Sequence, residues 1–178
     1  MINLDLININ MLKTIKNFKN IVISHQKRNF LKWPFFLNYK HSISNIDKWN
    51  LYYDTKILIG SNLLYLKDRE LENFKKISGI EKYNGYDYVL RDKILPQMKT
   101  RMIEAASTKT LMLMKRDPWN VIEKWFTPNE HFIYWDNYKD LKEKVYEITK
   151  NFNNYFKVIE AANQKVQSYY FDNFIKLI

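Results

Sequence analysis

The stretch Lys99-Thr-Arg-Met-Ile-Glu-Ala-Ala106, followed by Leu111-Met-Leu-Met114, is the most informative part of this sequence. Its pattern predicts the first turns of a helix, a break and then a buried strand. One carboxylate, that of Glu104, would lie on this helix. Nucleotide-binding α/β domains place an acidic side chain beside a ribose, so the stretch points towards such a domain. Because a helix followed by a strand is common, the neighbouring elements must decide whether this interpretation holds.

Short apolar runs and helical patterns alternate along the chain, most clearly from residue 56 onward. The predicted strands are Ile21–Ser24, Lys56–Ser61, Thr110–Met114 and His131–Tyr134. The predicted helices are Leu66–Ile77, Tyr86–Ile94, one starting near Thr100, one from Asp117-Pro118 through Phe126, and two with core-facing stripes at Tyr138–Ile148 and Tyr155–Tyr169. This alternation predicts an α/β fold, with a parallel sheet flanked by helices and closed by two or three carboxy-terminal helices.

The first third of the chain carries weaker signals. Residues 1–20 predict a short helix or a frayed extension, and His25–Tyr39 predicts an aromatic-rich loop. We therefore predict an irregular or partial segment over residues 1–55 and the sheet-containing domain over residues 56–178.

Composition narrows the class of protein. With 178 residues, of which 46% are hydrophobic, the chain is expected to be globular. Its net charge of +10 favours a polyanionic or phosphorylated partner, although a coding sequence rich in A and T would also produce many lysines. Cysteine is absent, and no apolar run approaches the ~20 residues of a membrane span. With no signal peptide evident, we expect a cytoplasmic protein.

Several common catalytic motifs are missing from the sequence. The histidines, His25, His41 and His131, lie too far apart for a metal-ligand spacing, so we predict no metal site. The chain contains three glycines and has no Gly-x-Ser-x-Gly elbow, no P-loop and no Gly-x-Gly-x-x-Gly turn. These absences argue against hydrolases, P-loop kinases and ordinary dinucleotide dehydrogenases.

The remaining candidate groups would suit a nucleoside diphosphate. Gly60 and Ser61 follow the strand at 56–61, and the start of the next helix would offer backbone N–H groups to a phosphate. Lys99 and Arg101 offer cations, and Glu104 could accept hydrogen bonds from both hydroxyls of a ribose. The competing interpretation makes Lys99 and Arg101 a solvated face and Glu104 an i,i+3 ion-pair partner of Arg101.

The order of these elements, over roughly two thirds of the chain, resembles the carboxy-terminal, donor-binding half of GT-B-fold glycosyltransferases of the group 1-like families. Such domains carry, in order, a Lys-x-x-x-x-Glu-Ala-x-Ala segment, an apolar strand, a Phe-x-Pro-x-Glu element, a strand-end tyrosine and two helices. The matching pieces here are Lys99–Ala106, Leu111–Met114, Phe126-Thr-Pro-Asn-Glu130, Tyr134, Leu141 and Tyr169.

The resemblance implies a Rossmann-like domain that binds a nucleotide sugar. It implies that Glu104 holds the ribose, that Lys99 or Arg101 lies near the diphosphate, and that Phe126 and Glu130 line the edge of the donor pocket. It further implies transfer of the sugar to an acceptor, which could be a glycan, a lipid or a protein. No cofactor is implied, and a metal ion is not usually required.

Two features depart from the family pattern. The turn after the helix usually contains glycine, whereas this chain has Ala106-Ser-Thr-Lys-Thr110, so Lys109 must adopt a left-handed conformation or the turn must be reshaped. Residues 1–55 are too short for the amino-terminal domain that binds the acceptor and supplies the general base. Activity is therefore expected to need a partner domain or a homo-oligomer, and Asp54, Asp87 and His25 remain open as bases.

The alternative hypothesis is a non-enzymatic basic module that binds nucleic acid or an anionic glycan. Arg28, Lys32 and Trp33 interleave cations with aromatic rings, a pattern suited to stacking on single strands. The aromatic residues around Pro34 would serve equally well as a hydrophobic plug over a sheet.

Overall fold

The structure, a computed structural model, describes residues 2–3, 21–24, 38–41 and 44–169. These residues form eight strands: β1 Ile2–Asn3, β2 Ile21–Ser24, β3 Asn38–His41, β4 Ile57–Gly60, β5 Leu63–Tyr65, β6 Ile94–Pro96, β7 Leu111–Lys115 and β8 Ile133–Trp135. They also form six α-helices: α1 Asn45–Tyr53, α2 Asp68–Lys75, α3 Tyr86–Asp92, α4 Arg101–Ser107, α5 Tyr138–Lys150 and α6 Phe156–Gln167. Short 3₁₀ turns lie at Ile80–Lys82, Val121–Lys124 and Phe152–Tyr155.

Six strands form one parallel sheet in the order β3-β2-β1-β4-β7-β8. Counted along the chain, the strands of this sheet have the order 3-2-1-4-5-6, which is that of a Rossmann-like domain. The predicted α/β class and Rossmann-like sheet are therefore confirmed. The strand order reverses between β1 and β4, and open parallel sheets bind ligands beyond the carboxyl ends of their strands at such a point.

The sheet extends across residue 56. Three of its strands come from residues 1–55, and Ile2 pairs with both Val22 and Ile59. The predicted boundary at residue 56 therefore does not mark an edge of the sheet. Runs such as the two residues of β1 are too brief to show a pattern in the sequence. The strand predicted at Ile21–Ser24 is confirmed. The predictions for residues 4–20 and 25–37 lie outside the described residues. Asn38 and Tyr39, predicted as the end of the aromatic-rich loop, belong to β3 instead.

Alternate residues of the central strands pack on opposite faces of the sheet. Leu111 and Leu113 face one core layer, to which α5 contributes Leu141, Val145 and Ile148. Met112 and Met114 face the other layer, with Tyr52 of α1 and residues of α4 and α6. The predicted stripes of the two carboxy-terminal helices are therefore core-facing, as expected. Among the described residues, no helix has the length and apolar character needed to cross a membrane.

A second, two-stranded antiparallel sheet was not predicted. It pairs β5 with β6, so residues 63–65 and 94–96 are strands where the sequence indicated the approach to one helix and the end of another. Lys93, with φ of 52°, ends α3 in a left-handed conformation and turns the chain into β6. The buried side chains of Leu63 and Ile94 hold this ribbon in place.

The helix predicted from Asp117 through Phe126 is also wrong. Asp117 does act as a cap, since its carboxylate accepts hydrogen bonds from the backbone N–H groups of Trp119 and Val121. Asn120, however, has φ of 48°, which interrupts the helical path, and only the 3₁₀ turn Val121–Lys124 follows. Lys109, by contrast, has φ of 54°, so of the two predicted outcomes for the turn without glycine the structure shows the left-handed conformation.

Candidate functional site

The candidate site starts at the carboxyl end of β4, where Gly60 is followed by Ser61 and Asn62. A Cβ atom on Gly60 would lie 3.2 Å from Cε and 3.3 Å from Sδ of Met114, and 3.5 Å from Cε of Met102. Glycine therefore allows the strand end to pack closely against the residues beneath it. Asn62 is 1% exposed, so the segment after β4 is buried rather than a surface turn.

Backbone contacts bring the residues around position 100 to this strand end. Leu63 pairs with Pro96, and the N–H of Gln97 donates to the carbonyl of Asn62 at 2.8 Å. Lys99 Nζ donates to the carbonyl of Leu63 at 3.0 Å. The β5–β6 ribbon thus places the start of α4 beside Ser61 and Asn62, two segments that are far apart in the sequence.

Several buried polar atoms at this edge lack a hydrogen-bond partner. In the part of the chain that the structure describes, they are Ser61 Oγ, both side-chain amide atoms of Asn62 and Arg101 Nη1, and a fifth is the indole nitrogen of Trp135 at the end of β8. Buried polar groups are nearly always paired, and leaving one unpaired costs about 1–3 kcal/mol. Four of these five atoms belong to the residues that follow β4 or to the start of α4, beside the point where the strand order reverses.

Glu104 lies on α4, one turn after Arg101, and α1 supplies its partners. Lys48 Nζ lies 2.5 Å from Oε1, and the Tyr52 hydroxyl donates to Oε2 at 2.8 Å. The carboxylate side chain is 16% exposed. Among the described residues, the ion-pair partner of Glu104 is therefore Lys48, and the i,i+3 pair with Arg101 that the competing interpretation expected is not formed.

Tyr52 connects Glu104 with Arg101 electrostatically. Burial, together with the charge of Glu104 and the hydrogen bond to it, raises the pKa of Tyr52, while the positive charge of Arg101 acts in the opposite direction. The phenol therefore stays protonated and donates to the carboxylate. The charges of Glu104 and Arg101 therefore both act on the hydroxyl of Tyr52, in opposite directions.

Comparison with known protein families identifies the class of domain. Residues 10–173 match the sequence model of the glycosyl transferase-like family. The chain belongs to the glycosyl transferase-like family. No curated protein and no solved structure matches it. Family membership supports a role in glycosyl transfer, and it implies a sugar donor and an acceptor.

Of the predicted site residues of this glycosyl transferase-like domain, Gly60 and Ser61 end and follow β4, and Lys99 donates to the carbonyl of the nearby Leu63. Arg101 and Glu104 lie on α4, which begins two residues after Lys99. The helix predicted over Leu66–Ile77 is present as α2, which begins at Asp68, but β5 separates its start from Gly60–Asn62. The polar side chains of Ser61 and Asn62, rather than a helix terminus, are the groups at this point.

Phe126 and Glu130 do not join these residues. Phe126 is 1% exposed and packs in the core, with its ring edge-on to those of Tyr169 and His131. Glu130 is exposed in the turn that precedes β8. Since the strands are parallel, this turn lies at the amino end of the sheet, whereas Ser61 follows the carboxyl end of β4.

Sequence reasoning missed three side chains of the candidate site. Lys48 and Tyr52 contact Glu104, and the amide of Asn62 is buried without a partner among the described residues. Lys48 and Tyr52 have the i,i+4 spacing of one helix face, but the sequence does not indicate which helix that face contacts. Of the possible general bases, Asp54 caps the end of α1 just before β4, and Asp87 is exposed in α3. His25 lies outside the described residues, and within those residues no three acidic or histidine side chains form a metal-binding group.

Proposed function

We propose that this chain is a glycosyltransferase, or the donor-binding half of one, that binds a nucleotide sugar beyond the carboxyl end of β4. The observation that carries the proposal is the set of buried, unpartnered polar atoms on Ser61, Asn62 and Arg101, in a member of the glycosyl transferase-like family. The oxygens of a nucleoside diphosphate can accept hydrogen bonds from the Ser61 hydroxyl, Asn62 Nδ2 and Arg101 Nη1, and Asn62 Oδ1 can accept one from a ligand hydroxyl.

Each group has a definite role in this proposal. The guanidinium of Arg101 holds a phosphate through two parallel hydrogen bonds, and the Ser61 hydroxyl and Asn62 amide donate to further phosphate oxygens. Glu104 accepts hydrogen bonds from the ribose hydroxyls. Lys99, which donates to the Leu63 carbonyl, holds the ribbon that shapes this edge.

In the proposed reaction, the bond between the anomeric carbon and the diphosphate oxygen breaks, and an acceptor oxygen bonds to that carbon. The acceptor proton passes to a base that the described residues do not identify. Arg101 stabilises the negative charge that develops on the departing nucleoside diphosphate. Because this cation is already in place, we propose that no metal ion is required. Binding is then expected to be unchanged by EDTA.

Other parts of the proposal concern the setting of the reaction. We propose a cytoplasmic enzyme whose acceptor site comes from a partner domain or a second copy, as the GT-B resemblance implies. The acceptor remains any glycan, lipid or protein with a free nucleophile. A size measurement in solution with and without donor would test the second copy.

Isothermal titration calorimetry with UDP, GDP, UDP-glucose and GDP-mannose tests the proposal directly. Saturable binding of at least one of them below millimolar concentration is expected, with circular dichroism reporting an intact fold. A folded protein that binds none of them at millimolar concentration would contradict it.

The basic-module alternative depends on Arg28, Lys32 and Trp33, which lie outside the described residues, so it stays a prediction. Salt dependence separates the two functions. Nucleic-acid affinity falls steeply between low and physiological salt because counterions are released. Binding of a nucleotide sugar in a buried site is expected to change much less.

A further inference from the structure

Helix α1 presents two hydrogen-bond donors to one carboxylate of α4. Lys48 and Tyr52 are four residues apart, so they lie one above the other on the same helix face. Lys48 reaches Oε1 of Glu104 and Tyr52 reaches Oε2, so each carboxylate oxygen has its own donor. Both contacts join α1 to α4 and neither involves a strand, so the pairing of the sheet does not account for them.

Tyr52 is a rigid support for this contact. Its side chain is fully buried in the core layer that contains Leu58 and Met102. Its backbone carbonyl accepts a hydrogen bond from the Thr110 hydroxyl at 3.1 Å, which ties the end of α1 to the start of β7. The packed ring therefore presents its hydroxyl to Glu104 Oε2 from a position that the core determines.

The two donors leave part of the carboxylate free. An ionised carboxylate has about four lone-pair positions, and Lys48 and Tyr52 use one on each oxygen. The remaining position on each oxygen suits two adjacent hydroxyls, as a ribose presents. Glu104 keeps 16% of its side chain exposed, so a ligand at the edge can reach it.

We infer that Lys48 and Tyr52 are positioning residues that hold the Glu104 carboxylate ready to accept the ribose hydroxyls of the donor. This inference rests on the proposed function, because it assigns the ribose to Glu104. Neither residue touches the donor; each acts through the carboxylate. The consequence is that both residues determine how well the protein distinguishes a ribonucleotide from its 2′-deoxy form.

The test compares the affinities of UDP and GDP with those of 2′-deoxy-UDP and 2′-deoxy-GDP, measured by calorimetry. Wild type is expected to prefer the ribonucleotide by about tenfold or more, the value of one good hydrogen bond to a charged group. Tyr52→Phe, which keeps the buried ring, is expected to weaken ribonucleotide binding and to leave 2′-deoxy binding nearly unchanged, so that the preference shrinks several-fold.

A matched control exists elsewhere in the chain. The Tyr155 hydroxyl donates to Glu147, the same kind of contact, at the junction of α5 and α6. Tyr155→Phe is expected to leave the preference unchanged. For the lysine, Lys48→Met is compared with Lys144→Met, which breaks an ion pair of similar exposure to Asp140. Only the Lys48 variant is expected to reduce the preference.

A double-mutant cycle with Glu104→Gln completes the test. If Tyr52 acts through Glu104, Tyr52→Phe changes the preference only while Glu104 is present. An unchanged preference in Tyr52→Phe and Lys48→Met would overturn the inference while leaving the proposed function intact. Tighter ribonucleotide binding in these variants would also overturn it, since the donors would then be competitors of the ribose. Wild type that binds no nucleotide would overturn both.

Discussion

Thr110 and Asn62 lie at opposite ends of the parallel sheet and are equally buried, but their side chains differ in hydrogen bonding. At the amino end, Thr110 is 1% exposed and its hydroxyl lies 3.0–3.1 Å from the carbonyls of Tyr52 and Thr55 and from the hydroxyl of Thr108. At the carboxyl end, Asn62 is also 1% exposed, and in the described part of the chain neither atom of its amide has a partner. Equal burial therefore accompanies opposite degrees of hydrogen bonding.

This difference separates the polar groups that hold the fold together from those that serve a ligand. The Thr110 hydroxyl ties α1, the end of α4 and β7 to one another, so its role is complete without any other molecule. Asn62, Ser61 and Arg101 have buried polar atoms without a partner among the described residues, which costs free energy, and such groups in native structures are often functional. Substitutions test this difference. Those at the amino end should change stability, and those at the carboxyl end should change nucleotide binding.

The largest effect is expected from Arg101→Gln. Loss of a bidentate guanidinium–phosphate contact should weaken nucleoside diphosphate binding by about 100-fold, or about 2.7 kcal/mol. Thermal stability should change little, because Nη1 of Arg101 has no partner to lose among the described residues. Calorimetry with UDP and GDP measures the first quantity and thermal unfolding the second. Arg69→Gln, on the exposed face of α2, is the matched control and should bind as wild type does.

Thr110→Val should have the reverse profile. Removal of the hydroxyl takes away the donor that the Tyr52 and Thr55 carbonyls share, at nearly constant side-chain volume. The Tyr52 carbonyl keeps the N–H of Thr55 as a donor, so the loss falls mainly on the Thr55 carbonyl and should lower the free energy of unfolding by about 2 kcal/mol. Urea denaturation checks this value. Nucleotide affinity at a temperature where the variant is folded should equal that of wild type. If Thr110→Val lost most of its nucleotide affinity while its free energy of unfolding stayed unchanged, Thr110 would be a binding residue and the distinction from Asn62 would be wrong.

The smallest effect, and the most diagnostic one, is expected from Asn62→Leu. A leucine of similar size removes two unpaired polar atoms, so the variant should be more stable than wild type by about 1 kcal/mol. The same substitution should weaken nucleotide binding by about tenfold. A variant that is less stable and binds normally would mean that Asn62 is a structural residue, like Thr110.

The sequence alone predicted the elements whose pattern is local. The run Leu111–Met114 is a buried strand, and the left-handed conformation of Lys109 follows from a turn that lacks glycine. The two carboxy-terminal stripes are core-facing because a period of 3.6 residues is a property of the helix itself.

Contacts between distant segments could not be predicted in this way. The β5–β6 ribbon depends on pairing of residues about 30 apart, and the Lys48–Glu104 pair joins two helices 56 positions apart. A carboxylate on a predicted helix indicates a candidate site, but its partners depend on which helix packs beside it. The pocket role expected for Phe126 and Glu130 came from the family resemblance alone. Glu130 precedes β8, as the predicted strand at His131–Tyr134 required, and therefore lies at the other end of the sheet from Ser61.

A crystal structure of the chain with the tighter-binding of UDP and GDP would test the central claim most directly. It should place a phosphate within hydrogen-bond distance of Arg101 and of Ser61 or Asn62, with the ribose hydroxyls on the free side of Glu104. A nucleotide bound elsewhere, with those polar atoms still unpartnered, would contradict the claim that the carboxyl end of β4 is the donor site.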